Sequence, residues 1–420
     1  MASLRREESR TELMAARAGF LADVARDREL FEASFFERCV RYNRVEGGVL
    51  GRDGSIDLLI LSGGGDRGAF GAGFLKGWGE VSGDLARPVF DCVTGVSTGS
   101  MIAPYAFAGR EESYETIDRL YREPSPDWAK RRLSRALIMR SDSLFDNTGL
   151  RGFVDHCFNE RFVGQLAEGE AEGRKLLIGT TNADMGLMRV WDLTRMAAEC
   201  SLDYKSQAEC IASMSRILHA SIAIPGVFPP TEIDGQLYVD GGVTMQAFLP
   251  GARRFVNDQD SPVSKLLSSG QALPPIRVWV IVNNTLSPDP EVMQPRWYSA
   301  LTRSLNIAIK TSNVIALRDM QMFSELSTHK AGLEIQFRFV AIPDGVAPEG
   351  GGDMFETATM NKLADFGYEL GTDPTCWQSH VPAPESADTY ELGRLEHPEA
   401  AEEAARKAGL DDDSAARELN

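Results

Sequence analysis

The feature that most constrains this chain lies at residues 56–107, where two apolar, strand-like stretches each feed a helix through a glycine-bearing turn. Ile56-Asp57-Leu58-Leu59-Ile60-Leu61 is almost continuously apolar, the pattern of a strand buried on both faces. Ser62-Gly63-Gly64-Gly65-Asp66-Arg67-Gly68 follows it. Glycines there permit positive φ and leave the backbone bare. Gly63, Gly64, Gly65, Asp66, Arg67 and Gly68 can therefore turn several N–H groups toward one anion at a helix start. A second strand, Phe90-Asp91-Cys92-Val93-Thr94, runs into Gly95-Val96-Ser97-Thr98-Gly99, a G-x-S-x-G sequence. At a strand-to-helix junction Gly95 and Gly99 allow a tight elbow that presents Ser97 as a candidate nucleophile.

The rest of the chain extends this alternation. Apolar runs at residues 175–180, 188–193 and 276–282 read as strands. The stretch 333–342 reads as an edge strand, because its Leu, Ile and Phe residues alternate with Glu334, Gln336 and Arg338. Helical patterns occupy 213–219, 297–326 and 355–370, and residues 112–150 are charged and helical in flavour. Asp234-Gly235 between β-prone segments signals a hairpin that delivers Leu237-Tyr238-Val239 into Asp240-Gly241-Gly242. Strands alternating with helices predict an α/β fold with a mainly parallel central sheet covered on both faces. Residues 1–50 read as an amphipathic helical extension, with Ser9 and Glu12 at capping-box spacing and Leu13, Phe20, Val24, Phe31 and Phe35 at helical intervals. Its polar face mixes both signs of charge, which favours docking on its own domain over a membrane surface. Residues 56–375 form the expected catalytic domain, and 376–420 an acidic, alanine-rich tail.

Composition narrows the function. The 420 residues carry a net charge of −17, which disfavours nucleic acid and attraction to anionic membranes, and favours neutral substrates or basic partners. The six cysteines are scattered without a C-x-x-C pair, and in a chain this long they read as reduced core thiols. Neither a signal-peptide core nor a membrane-length apolar run stands out, so a cytoplasmic protein, at most peripheral to membrane, is the expectation. No H-E-x-x-H or EF-hand pattern occurs, so no metal and no cofactor are expected.

Two rival readings meet the same residues. Gly63, Gly65 and Gly68 satisfy G-x-G-x-x-G, but a dinucleotide fold also wants an acidic residue about 20 positions on, at the end of its second strand. Here that strand ends in the serine elbow. A histidine base for Ser97 must come from His156, His219, His329, His380 or His397. The α/β-hydrolase order would allow Ser97, Asp240 and His329 or His380. Neither histidine sits in a small-residue loop after a core strand, so a carboxylate is the better partner.

With these residues placed, the chain resembles the patatin-like phospholipases. Four of that family's elements occur in order: the glycine loop, the elbow around Ser97, the block from Ala220-Ser221 through Pro225 to Phe228-Pro229-Pro230, and Asp240-Gly241-Gly242. The resemblance spans about residues 56–370. It implies a three-layer α/β/α fold and a Ser-Asp dyad, with Ser97 as nucleophile, Asp240 as base and backbone N–H groups of Gly64, Gly65 and Asp66 holding the oxyanion. It further implies a lipid or ester substrate cleaved through an acyl-enzyme, with transient contact at a membrane surface. A catalytically weak lipid-binding scaffold on the same fold is the alternative. One departure is Met245-Gln246-Ala247, where members commonly carry Asn shortly after D-G-G. The apolar loops at residues 223–230 and 246–250 are the expected contact surface for lipid.

Overall fold

The computed structural model describes residues 10–44, 54–131, 143–201, 207–250, 274–288, 292–293, 295–331, 334–346 and 354–382. The chain falls into two units, Met1–Ser379 and His380–Asn420, and every element named below belongs to the first. The first half holds helix α1 (Arg10–Arg44), strand β1 (Ile56–Leu61), α2 (Gly68–Trp78), β2 (Cys92–Val96), α3 (Thr98–Ala108) and α4 (Glu111–Arg122). Next come the short strands β3 (Lys130–Arg131) and β4 (Phe145–Asp146), then α5 (Thr148–Cys157), α6 (Glu160–Ala171), β5 (Lys175–Asn182) and β6 (Leu187–Asp192). The second half holds α7 (Leu193–Ser201), α8 (Gln207–Ser221), β7 (Thr231–Ile233), β8 (Gln236–Asp240), β9 (Ile276–Val282), α9 (Trp297–Ala331), β10 (Ile335–Ala341) and α10 (Thr357–Gly371).

Eight strands form one sheet in the order β10-β9-β1-β2-β5-β8-β7, with β6 paired to β5 as well. The five strands from β10 to β5 run parallel. The others join antiparallel. Every residue of β1, β2, β5 and β9 is buried, as continuous apolar runs covered by helices on both faces require. β10 lies at the edge, and its Gln336 and Arg338 are only half-buried, in keeping with their alternation in the sequence. Leu59, Val93, Ile178 and Ile281 point into one core with apolar residues of α2, α3, α8 and α10. On the opposite face α9 lies against β10, where Ser324 Oγ donates to the Ile335 carbonyl at 2.6 Å.

Helix α1 is docked by specific pairs. Asp27 meets Arg189 at 2.6 Å and Arg195 at 2.8 Å, Arg17 donates to the Met185 carbonyl, and Arg38 Nε donates to buried Asp91 at 2.7 Å. Burial pushes the Asp91 carboxyl above its usual range while Arg38 draws it back. The mixed-sign face is therefore a set of intramolecular partners. Ser9, the proposed cap, lies outside the described residues, as do Arg132 and residues 383–420 of the expected tail.

Three expectations need adjustment. Residues 112–150 contain α4 and the start of α5, but also the antiparallel β3–β4 pair, Lys130 opposite Asp146. The helix expected at 213–219 begins at Gln207, and the one expected at 297–326 continues to Ala331. The cysteine reading is corrected: Cys200 and Cys210 are joined, with 6.0 Å between their Cα atoms. They sit at the end of α7 and the start of α8, so two helix ends bring together what sequence spacing left apart. Among the described residues no helix is long and apolar enough to cross a membrane.

Candidate active site

Strand register brings Ser97 and Asp240 together. β6 pairs along β5 from Leu177 to Asn182, so β2 and β8 must share the other edge of β5, one after the other. β2 ends with Val96 opposite Gly179, and β8 ends with Asp240 opposite Thr180, the next residue along. Ser97, one step past Val96, thus meets Asp240 where the two strands abut. The hairpin that reverses the chain into β8 has Asp234 at φ 51° and Gly235 at φ 76°, the conformation an Asp-Gly turn favours.

Ser97 caps α3 at φ 54° and ψ −126°, a conformation costly for a residue with a Cβ. The elbow leaves no room for larger neighbours. A Cβ on Gly95 would lie 2.7 Å from the Gly99 carbonyl carbon, and one on Gly99 would lie 2.7 Å from that of Leu61. The backbone is then tied down. The Ser97 N–H donates to Ser221 Oγ at 3.1 Å, Ser221 Oγ donates to the Gly179 carbonyl at 2.8 Å, and the Ser97 carbonyl accepts from Ser100 N–H and Oγ. Only 5% of Ser97 is accessible.

Asp240 is 4% accessible and caps a single helical turn, accepting the Gly242 N–H at 2.8 Å. The Ser97 hydroxyl lies beside the same carboxylate and favours its charged form. Burial pushes the Asp240 pKa from 3.8 up to about 6, with the bonds from Ser97 and Gly242 pulling it back. A buried carboxylate with two donors and a raised pKa is poised to accept a proton near neutrality. Gly241 packs against β5, where a Cβ would lie 2.8 Å from the Gly179 carbonyl carbon.

The glycine loop sits across from Ser97. A Cβ on Gly63 would lie 3.2 Å from Ser97 Cβ, and one on Gly64 would collide with the Asn283 carbonyl. Gly65 adopts φ 62°. Gly63 N–H donates to the Gln246 carbonyl at 3.1 Å and Arg67 N–H to the Gly64 carbonyl at 3.2 Å. The N–H groups of Gly64 and Gly65 make no hydrogen bond among the described residues. Burial raises the pKa of the Asp66 carboxyl, while the Arg67 charge draws it back. Arg67 bonds to Asn284 Oδ1, and Gly68 opens α2 beside Tyr121, whose hydroxyl bonds Thr98 Oγ1. Among the described residues no cluster of His, Cys, Asp and Glu has the arrangement of a metal site.

His219 is buried near this site but faces away from it, with Nε2 3.1 Å from Asp155 Oδ1 and 3.2 Å from the Arg151 carbonyl. Burial lowers its pKa.

Three positioning roles were not assigned from sequence. Ser221 stands in a motif block with no individual signal. Asn283 Nδ2 holds the Ser62 carbonyl at 2.9 Å, and a strand-terminal Asn gives little warning of that. Gln246 stitches both halves of the site together: its carbonyl accepts from Gly63, and its Nε2 donates to the Gly242 carbonyl at 3.1 Å. In the expected contact loops Ala223, Phe228, Gln246, Ala247 and Phe248 are buried, Pro225 and Gly226 are exposed, and the rest are half-buried. Val243 and Met245 are the exposed apolar side chains beside Asp240.

No protein of curated function matches the chain. Among solved structures the chain is similar to VipD from Legionella pneumophila, at 12% identity and a TM-score of 0.34, over 77% of this chain and 67% of that one. The family model of patatin-like phospholipases matches residues 59–250, a span that holds the glycine loop, Ser97 and Asp240. Over those residues the chain carries a patatin-like phospholipase domain.

Proposed function

We propose that the protein is a serine lipid acyl hydrolase that cleaves carboxylic esters with Ser97 as nucleophile and Asp240 as its base. The observation that carries this reading is the contact of the Ser97 hydroxyl with a carboxylate that burial has made more basic than an ordinary aspartate. Asp240 takes the hydroxyl proton as Ser97 Oγ attacks the ester carbonyl. The proton then passes to the departing alkoxide, and an acyl-serine remains. Asp240 next deprotonates water, which releases the fatty acid and restores Ser97. The Gly64 and Gly65 amides, which lack acceptors among the described residues, supply donors for the oxyanion. Such a donor is typically worth about 2.7–4 kcal/mol.

The test is hydrolysis of a panel of phospholipids, lysophospholipids and glycerides with mass-spectrometric readout. Wild type should release fatty acid, and Ser97→Ala should lose more than about a thousandfold in rate. Equal release by the two proteins would refute the reading.

A further inference from the structure

Beyond Asp240, Thr244, Met245 and residues 247–250 line a cavity of about 1210 Å³. Its floor is Leu177 of β5 and Met188 of β6, one wall is α1 with Phe31, and the other is α9 with Ile315 and Phe323. Neither Ser97 nor Asp240 is among its lining residues. The volume exceeds the roughly 300–1,000 Å³ typical of drug-sized ligands. The lining follows α9 from Ala308 to Leu326. That is about 27 Å of helix at 1.5 Å per residue. The space is therefore long as well as apolar.

Two further observations restrict the occupant. Ile315 and Met322 line the cavity yet remain 56% and 53% accessible, apolar surface that water covers unless a ligand does. The charged lining residues are Asp27, Asp192 and Asp319 against Arg28. Asp27 and Asp192 already hold Arg189, Arg195 and Lys175, so no cation in those pairs is left for a phosphate or carboxylate. A long, apolar, anion-averse space suits acyl chains on an uncharged head.

We propose that this cavity binds the long acyl chains of an uncharged lipid at a second site, separate from the cleft around Ser97. Its lining residues Met245 and Ala247 flank Gln246, which holds Gly63 and Gly242, so an occupant bears on the candidate active site through that residue. The proposal does not require Ser97 to be a nucleophile.

The experiment titrates a pyrene-labelled monoacylglycerol into the full-length Ser97→Ala protein, which removes hydrolysis of the probe from the measurement. Saturable binding is expected. Ala316→Trp, which fills the cavity, and Ile315→Glu, which places a charge at an already accessible position, should each weaken it by about tenfold or more. Unlabelled monopalmitoylglycerol should displace the probe at lower concentration than palmitate. Unaltered binding in both cavity variants, with melting temperatures unchanged, overturns the proposal. So does displacement by palmitate as effective as by the glyceride. If Ile315→Glu instead turns a dimer into a monomer and no probe binds, the face is a protein interface and the proposal fails. None of these outcomes touches the assignment of Ser97, which the panel of esters tests independently.

Discussion

Asp240 carries the chemical argument at the scale of single residues. Desolvation makes it more basic, and the same desolvation opposes folding. Its folded pKa, about 6, lies above the ordinary 3.8, so its contribution to stability is fully present at low pH and is lost as pH rises through about 6. At neutral pH the penalty is up to about 3 kcal/mol. Asp240→Asn should therefore raise the melting temperature at pH 7–8, with the gain vanishing near pH 4, while ester hydrolysis is lost. Thermal melts across pH, paired with activity, check both halves. Hydrolysis by wild type should rise through about pH 6 as the carboxylate ionises, and a profile flat from pH 4 to 8 would contradict a base of this kind. Both residues could be proposed from sequence because each sits in a short motif. Their contact was not, because it depends on two strands abutting along one edge of β5.

Among the elements, the strand-to-helix turns were read correctly because glycine and aspartate mark them locally, and the buried strands because their apolar runs need no partner to be recognised. What failed to read out was long-range bonding. Ser221 reaches Ser97 from α8 across 124 positions. No local pattern encodes that. Ser221→Ala removes the acceptor for the buried Ser97 N–H. It should cost about 1–3 kcal/mol in stability and lower kcat more than it raises KM. Denaturation curves and steady-state kinetics on a soluble ester separate the two effects. Arg38→Ala would leave Asp91 buried beside a missing partner, and about 3–5 kcal/mol of destabilisation is expected in chemical unfolding. A loss near zero would mean that α1 is not held where the structure places it. The Cys200–Cys210 pair belongs here too, since two helix ends create it rather than any cysteine motif.

For the molecule as a whole, the proposed action on lipid has to contend with a net charge of −17. Its field repels anionic surfaces over about 8 Å at physiological salt. Contact then depends on local apolar groups, of which Val243 and Met245 lie beside Asp240. Phosphatidylcholine vesicles should be hydrolysed faster than matched phosphatidylglycerol vesicles, and added salt should narrow the gap. The opposite preference, fading with salt, would make basic surface residues such as the exposed Lys130 and Arg131 the point of contact. Composition was informative about this field. It said nothing about which apolar side chains reach the surface, because that depends on how residues 241–250 fold around Gln246.

The most direct test of the dyad is labelling with a fluorophosphonate, followed by peptide mass spectrometry, in wild type and Asp240→Asn. The account predicts a single adduct on Ser97 in wild type, forming faster as pH rises through about 6, and almost none in the variant. An adduct on another residue, or equal labelling of Ser97 without the Asp240 carboxylate, would contradict it.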